Sequence, residues 1–159
     1  MREDSTSYSL TRSKGESFPS SMWKSELAGV TELISEASLG RFFIEPSIAE
    51  LASKNRTEED VELLESNLEK MHNCFEESEI LELDRQFHLL LAEATNVHFL
   101  PKVLEPLLYL SKAQEELDKY PDNVQKERIL LEHKTILSYI KSQDSSSAIT
   151  AMTSHLNCA

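Results

Sequence analysis

Glycine is scarce in this sequence and absent from most of it. There are 3 glycines among 159 residues (Gly15, Gly29 and Gly40), and none follows Arg41. Sheets joined by tight turns need residues that accept a positive φ, and glycine does so most readily. A long glycine-free stretch rich in Leu, Glu, Lys and Ala favours helices instead. The predicted fold class is therefore all-α.

Basic residues are few relative to acidic ones. The 16 Lys and Arg residues stand against 28 Asp and Glu residues, which leaves a formal net charge of −12 at pH 7. A surface of that sign repels phosphate backbones. We therefore expect no direct binding of nucleic acid by this chain.

Cysteines and long apolar runs are also rare. The 2 cysteines, Cys74 and Cys158, show no C-x-x-C spacing and are typical of thiols in a reducing compartment. The N-terminus lacks the apolar core of a signal peptide, and no apolar segment is long enough to span a bilayer. We predict a cytoplasmic protein without membrane contact.

Composition and periodicity divide the chain into two parts. Residues 1–21 are rich in Ser, Thr and charge and are predicted to be a flexible linker, whereas residues 22–159 are predicted to be one helical domain. Pro46 should kink the first helix or divide it into two pieces, and Asn96 should end the third. The first three predicted helices are about Trp23–Lys54, a second that the TEED run at Thr57 opens, and about Glu79–Thr95. The fourth is about Phe99–Tyr120 with a bend at Pro106, and a break at Pro121–Asn123 separates it from the fifth, about Val124–Ser142. Asp144 or Ser145 caps the last helix, which ends near Asn157.

Four polar residues interrupt the apolar stripes of three helices. Asp84 and His88 lie one turn apart on the third helix, between leucines that should be buried. His133 occupies a core position on the fifth helix, and His155 completes the apolar face of the last. Burying such groups without partners costs about 2 kcal/mol or more each. Convergence on one divalent metal would remove that cost, and a mixed N/O ligand set suits zinc, nickel, manganese or iron.

Each of these residues also has an ordinary structural interpretation. A D-x-x-x-H pair is common and weakly diagnostic by itself, and His133 could bond to a carbonyl. His155 is close to the C-terminus and could be solvated. Arg41 also interrupts an apolar stripe, on the first helix, and could pair with a glutamate. The metal hypothesis rests on the conjunction of the four residues on buried stripes.

Other chemistries have weaker support in the sequence. His72 and Glu69 form one E-x-x-H, but a di-iron site needs a second such pair, and the sequence has none. Cys74 has no evident activating partner. Two alternatives stay open: a metal-dependent hydrolase or lyase with Glu45 or Glu132 as its base, and a purely structural helical interaction module without metal.

Several segments in order resemble one known family. RFFIEP from Arg41, ELA from Glu50, RTEEDVELLE from Arg56, DRQFHLLLAEATN from Asp84, and the later EHKTIL and AMTSHL together resemble the ligand-binding (FCD) domain of FadR-type GntR transcription regulators. The resemblance covers about residues 33–156.

The resemblance implies an antiparallel bundle of six to seven helices that binds an effector and is not an enzyme. It implies one divalent metal, zinc as the first candidate, held by Asp84, His88, His133 and His155. It also implies that Arg41 contacts a small carboxylate effector, and that the domain forms a homodimer. We expect the effector to replace water on the metal and to alter DNA binding by a winged helix-turn-helix domain.

That DNA-binding domain precedes the effector domain in members of the family. Here only some two dozen residues come before the predicted helices, so we expect the winged-helix domain to be absent from this chain. We expect the chain to be either a piece of a longer regulator or a stand-alone effector domain that reaches DNA only through another domain.

Overall fold

The fold is all-α, as the composition predicts. The structure, a computed structural model, describes the backbone of residues 20–118 and 123–158, and within them the side chains of residues 29, 32–76, 78–111 and 123–157. The predicted linker before residue 20 and the predicted break at Pro121 and Asp122 lie outside these ranges. Within them there are six helices and no strand: α1 (Ser20–Asn55), α2 (Glu58–Asn73), α3 (Glu77–Glu93), α4 (Leu100–Asp118), α5 (Asn123–Lys141) and α6 (Ser145–Cys158).

Helix α1 is a single helix, so the prediction that Pro46 divides it into two pieces is wrong. Pro46 lies inside the helix, nine residues before its end at Asn55. A proline in a helix interior removes one hydrogen bond and costs about 3 kcal/mol. Packing offsets this cost, because α1 lies against α3, α4, α5 and α6 and its buried stripe runs past the proline to Ile48 and Ala52.

Local side-chain chemistry sets two of the helix starts that the sequence predicts. Thr57 and Asp60 form a reciprocal capping box at the start of α2. Asp144 caps α6, where its carboxylate accepts from the backbone N–H and the hydroxyl of Ser147 at 3.1 and 2.6 Å. Asn96, with φ of 58°, follows the end of α3 in the left-handed region, as predicted for a helix stop.

The end of α1 is bonded to the ends of three other helices. Asn55 donates to the carbonyl before Asn96 at 2.8 Å, and Asn96 donates back to the Asn55 carbonyl at 2.8 Å. Arg56 donates to the last carbonyl of α5, and the hydroxyls of Ser53 and Ser145 lie 2.7 Å apart at the start of α6. These contacts hold α3, α5 and α6, the three helices with candidate ligands, against α1.

The core is apolar but includes buried histidines. Its largest fully buried apolar side chains are Ile48, Leu64, Met71, Phe87, Leu91, Leu104, Leu130, Ile136, Ile140 and Met152. His88 and His133 are buried to the same extent, and His155 nearly so. None of the helices in the described ranges combines the length and apolar character that crossing a bilayer requires.

Candidate metal and effector site

The structure brings the four predicted ligand residues together inside the bundle. One ligand atom from each of Asp84, His88, His133 and His155 lies within 4.8 Å of the others. His155 Nε2 is 3.3 Å from the Nε2 atoms of both His88 and His133. Asp84 Oδ1 is 3.3 Å from His133 Nε2, and its Oδ2 is 4.0 Å from His88 Nε2. Three helices, α3, α5 and α6, therefore direct donor atoms to a common centre.

These separations suit a four-coordinate metal ion. Zinc–nitrogen bonds of about 2.0–2.1 Å in a tetrahedron place neighbouring ligand atoms roughly 3.3–3.4 Å apart. Three of the four distances above are 3.3 Å, and the fourth, which involves the other oxygen of Asp84, is 4.0 Å. Three imidazoles with one carboxylate are also the donor types that zinc and neighbouring divalent metals prefer. The residues present thus fit such an ion.

Two glutamates contact the outward-facing nitrogens of two of these histidines. Glu45 Oε2 of α1 lies against His88 Nδ1, and Glu132 Oε2 of α5 lies 2.7 Å from His155 Nδ1. A carboxylate beside Nδ1 favours the tautomer in which Nδ1 carries the proton. Nε2 of His88 and His155 then presents a lone pair toward the centre, which is the form that a metal requires.

The surroundings of His133 and His155 favour their neutral imidazoles. Burial lowers the pKa of His133 well below 6.5, and the neighbouring His155, His88 and Arg41 lower it further. Burial is also the main reason that the pKa of His155 is lowered, with a further contribution from His88, against the opposing effects of Asp84 and Glu132. Neutral histidines are the ligating form.

Glu45 stays ionised although it is buried. Burial alone would raise the pKa of its carboxyl, but His88 and Arg41 outweigh this effect and bring it from an ordinary 4.5 to about 2. Arg41 Nε donates to Glu45 Oε1 at 2.6 Å. The carboxylate is therefore held between a guanidinium on one side and an imidazole on the other.

His133 is positioned differently from the other two histidines. Its ring stacks on Phe87, with ring centroids 3.9 Å apart and an interplanar angle of 10°. Its Nδ1 is buried, and no carboxylate among the described residues contacts it, unlike the Nδ1 atoms of His88 and His155. Packing against an aromatic ring, rather than a carboxylate, orients this third ligand.

Arg41 lies at the edge of the ligand cluster. It is buried on α1, and its Nη2 is 3.4 Å from His88 Nε2, the atom that faces the centre. The sequence left open a structural pairing with a glutamate and a role toward an effector. The structure shows the pairing with Glu45 and also places the guanidinium on the ligand side of His88.

Residues that the sequence left out of the site lie away from it. His72 and His98 are exposed on the surface. Cys74 is buried, and burial and then the contact with Glu79 raise the pKa of its thiol, which keeps it protonated. The sequence reading named Glu45 and Glu132 only as possible bases and missed their contacts with histidines. A signal was available, because each ends an R-x-x-x-E segment with three apolar residues between the charges.

Comparisons with known proteins agree with this fold. The chain is 30% identical over 121 residues to the uncharacterized HTH-type transcriptional regulator YdhC of Bacillus subtilis (strain 168), an alignment of 74% of this chain and 54% of that protein. The chain therefore spans about half the length of this curated relative. Two solved structures share the fold. Streptococcus agalactiae GntR superposes with a TM-score of 0.67 at 22% sequence identity, over 81% of this chain and 58% of that one. E. coli McbR/YncC superposes with a TM-score of 0.66 at 19% sequence identity, over 78% of this chain and 64% of that one.

The family assignment follows from a match over most of the chain. The FCD domain family profile matches residues 36–157, which include all four clustered residues, both glutamates and Arg41. The chain therefore belongs to the FCD domain family, the helical effector-binding domain of GntR-type regulators.

Proposed function

We propose that this chain is a metal-dependent sensor domain that binds a small organic acid. The observation that carries the proposal is the arrangement of His88 and His155. Their Nδ1 atoms face carboxylates, so their Nε2 lone pairs face each other at 3.3 Å inside the core. Two lone pairs at that distance repel each other, and a cation held between them would remove the repulsion. Asp84 and His133 complete a ligand set for one divalent ion, with zinc as the first candidate and nickel, manganese or iron as alternatives.

The position of Arg41 supports an anionic effector. A divalent ion held by Asp84, His88, His133 and His155 would supply a positive centre that attracts an anion. The guanidinium of Arg41 provides a second positive group at the edge of the same cluster. A small carboxylate has two oxygens and could meet both groups at once. The acidic surface of the protein gives an anion no attraction of its own, so these two centres would supply the affinity.

The signalling role is proposed from the family and its relatives. Effector binding would shift the packing of α1, the helix that carries Arg41, against the helices that carry the ligands. The shift would reach DNA through an associated winged-helix domain, and the name of YdhC indicates a helix-turn-helix domain in that protein. We further propose that the domain functions as a homodimer in the cytoplasm.

Metal analysis of the purified protein tests the metal part of the proposal. The protein would be stripped with a chelator, reloaded with zinc, dialysed and analysed by mass spectrometry for zinc and protein. We expect one zinc per chain. Reloading with nickel, manganese and iron(II) would rank the metals. Failure of all four metals to bind stoichiometrically would overturn the proposal.

A second experiment tests the effector part. Small mono- and dicarboxylates would be screened by thermal shift against the zinc-loaded protein. We expect at least one acid to raise the melting temperature, and Arg41→Gln to abolish that rise. Arg85→Gln is the matched control, because Arg85 pairs with Glu82 on the outside of α3. A rise that survives in the Arg41 variant would remove this residue from the effector site.

A further inference from the structure

Two rows of side chains, each made of an arginine, a glutamate and a histidine, lead to the ligand cluster. In one, Arg41 Nε donates to Glu45 Oε1 at 2.6 Å, and Glu45 Oε2 contacts His88 Nδ1. In the other, Arg128 Nη1 donates to Glu132 Oε1 at 3.0 Å, and Glu132 Oε2 lies 2.7 Å from His155 Nδ1. In both, an arginine engages one oxygen of the carboxylate and a histidine of another helix engages the other.

The arginine and the glutamate have the same spacing in the sequence in both Arg–Glu–His rows. Arg41 and Glu45 are four residues apart on α1, and Arg128 and Glu132 are four residues apart on α5. This spacing puts each pair on one helix face, where the arginine fixes the rotamer of the glutamate. Each glutamate then reaches a histidine on a different helix. The Arg–Glu pair therefore orients the imidazole from outside the helix that carries the histidine.

From this arrangement we infer that Glu45 and Glu132 are positioning residues for the metal ligands. Each carboxylate accepts a hydrogen bond from the Nδ1–H of its histidine and so holds Nε2, unprotonated, toward the centre. Outer carboxylates of this kind orient the ring and raise its basicity as a ligand. The inference rests on the proposed metal site and adds two residues that do not themselves touch the metal.

The two Arg–Glu–His rows differ in their exposure to water. The side chains of Arg41 and Glu45 are 8% and 1% exposed, whereas those of Arg128 and Glu132 are 39% and 23% exposed. A hydrogen bond to a charged group is stronger where water is excluded. Water can also replace part of the contact at Glu132. We therefore expect Glu45 to contribute more to metal affinity than Glu132.

Zinc affinity measured by competition with a chromogenic chelator tests the inference on the full chain. Glu45→Gln and Glu132→Gln should each weaken zinc binding by roughly 10- to 100-fold, with the larger loss at Glu45. The controls are Glu50→Gln on α1 and Glu127→Gln on α5, the first an outward partner of Lys54 and the second exposed. Both controls should bind zinc within about twofold of the wild type.

Two further readouts separate positioning from a general loss of structure. Long-range ¹H–¹⁵N spectra of the zinc-loaded protein should show Nδ1–H tautomers for His88 and His155, with altered Nδ1 signals in the matching glutamine variant. Melting in EDTA shows whether each variant still folds. If Glu45→Gln does not fold, Glu45→Asp replaces it and should recover affinity relative to Glu45→Ala.

The outcomes are distinct for the site and for the inference. Wild-type protein that binds zinc, with both glutamine variants folded and within twofold of it, would overturn the positioning role and leave the metal site standing. An Nε2–H tautomer at either histidine in the zinc-loaded wild type would also overturn it. Wild-type protein that binds no metal would overturn the metal site and this inference together.

Discussion

Replacement of Lys126 by methionine should destabilise the fold although it removes a buried charge. Lys126 is 5% exposed on α5 and donates from Nζ to the carbonyls of His72 and Cys74, at 2.9 and 2.6 Å. These carbonyls end α2, where the helix dipole is negative and favours a cation. The ammonium also lies 5.3 Å from the ring centroid of Phe75.

The size of the effect follows from these contacts. A hydrogen bond to a charged group contributes about 1.5–3 kcal/mol, and two are lost. Methionine has a similar volume and relieves the desolvation of the ammonium, which offsets part of the loss. We expect the free energy of unfolding of Lys126→Met to fall by about 2–3 kcal/mol. At about 2–4 °C per kcal/mol for a domain of this size, the melting temperature should fall by roughly 4–12 °C.

Urea denaturation followed by circular dichroism, in EDTA at pH 7.5, measures this difference without any contribution from metal. Lys134→Met is the matched control, because Lys134 is exposed on the same helix and should change stability by no more than about 0.5 kcal/mol. A loss at Lys126 below about 1 kcal/mol, indistinguishable from the control, would show that the buried ammonium is not a net stabilising contact and would refute the reasoning.

Three other predictions concern the site and the helix starts. Asp84→Asn should melt in EDTA within a few degrees of the wild type but should lose most of the stabilisation that zinc provides. For the wild type, that stabilisation is about 2.7 kcal/mol at a free zinc concentration 100-fold above Kd. Equal stabilisation of both proteins by zinc would remove Asp84 from the ligand set. In EDTA, lowering the pH through 6.5 should destabilise the protein, because His133 and His155 have lowered pKa values when folded and take up protons when unfolded. The stability that they contribute is present above pH 6.5 and is lost at up to about 1.4 kcal/mol per pH unit for each; an unfolding free energy that is constant from pH 7.5 to 5.5 would contradict this. Thr57→Ala should cost about 1 kcal/mol through loss of the capping box, whereas Thr135→Ala on an exposed face should cost much less, as chemical denaturation would show.

Features set by short-range geometry could be predicted from the sequence. The capping box at Thr57, the cap at Asp144 and the stop at Asn96 depend on residues within three or four positions of one another. The polar interruptions at His88 and His133 are also local, because the 3.6-residue period assigns each position to a helix face. The sequence pattern is therefore sufficient to predict the candidate ligands.

Contacts between helices could not be predicted in the same way. The continuity of α1 through Pro46 depends on the helices packed around it, and propensity alone favours a break. Lys126 would be expected at the surface, and only the approach of the end of α2 explains its burial. From the sequence, Glu45 and Glu132 could be named only as candidate bases, because the histidines that they contact lie 43 and 23 residues away.

The sequence by itself determined the helices, their caps and the buried face on which each candidate ligand lies, because helix geometry relates neighbouring residues by fixed rotations. Only the tertiary structure decided which faces meet. It put three imidazoles and a carboxylate at one centre, placed a glutamate behind two of the imidazoles, and set Arg41 beside them. These relations depend on how whole helices pack, and packing reflects the shapes of many side chains at once rather than any local pattern.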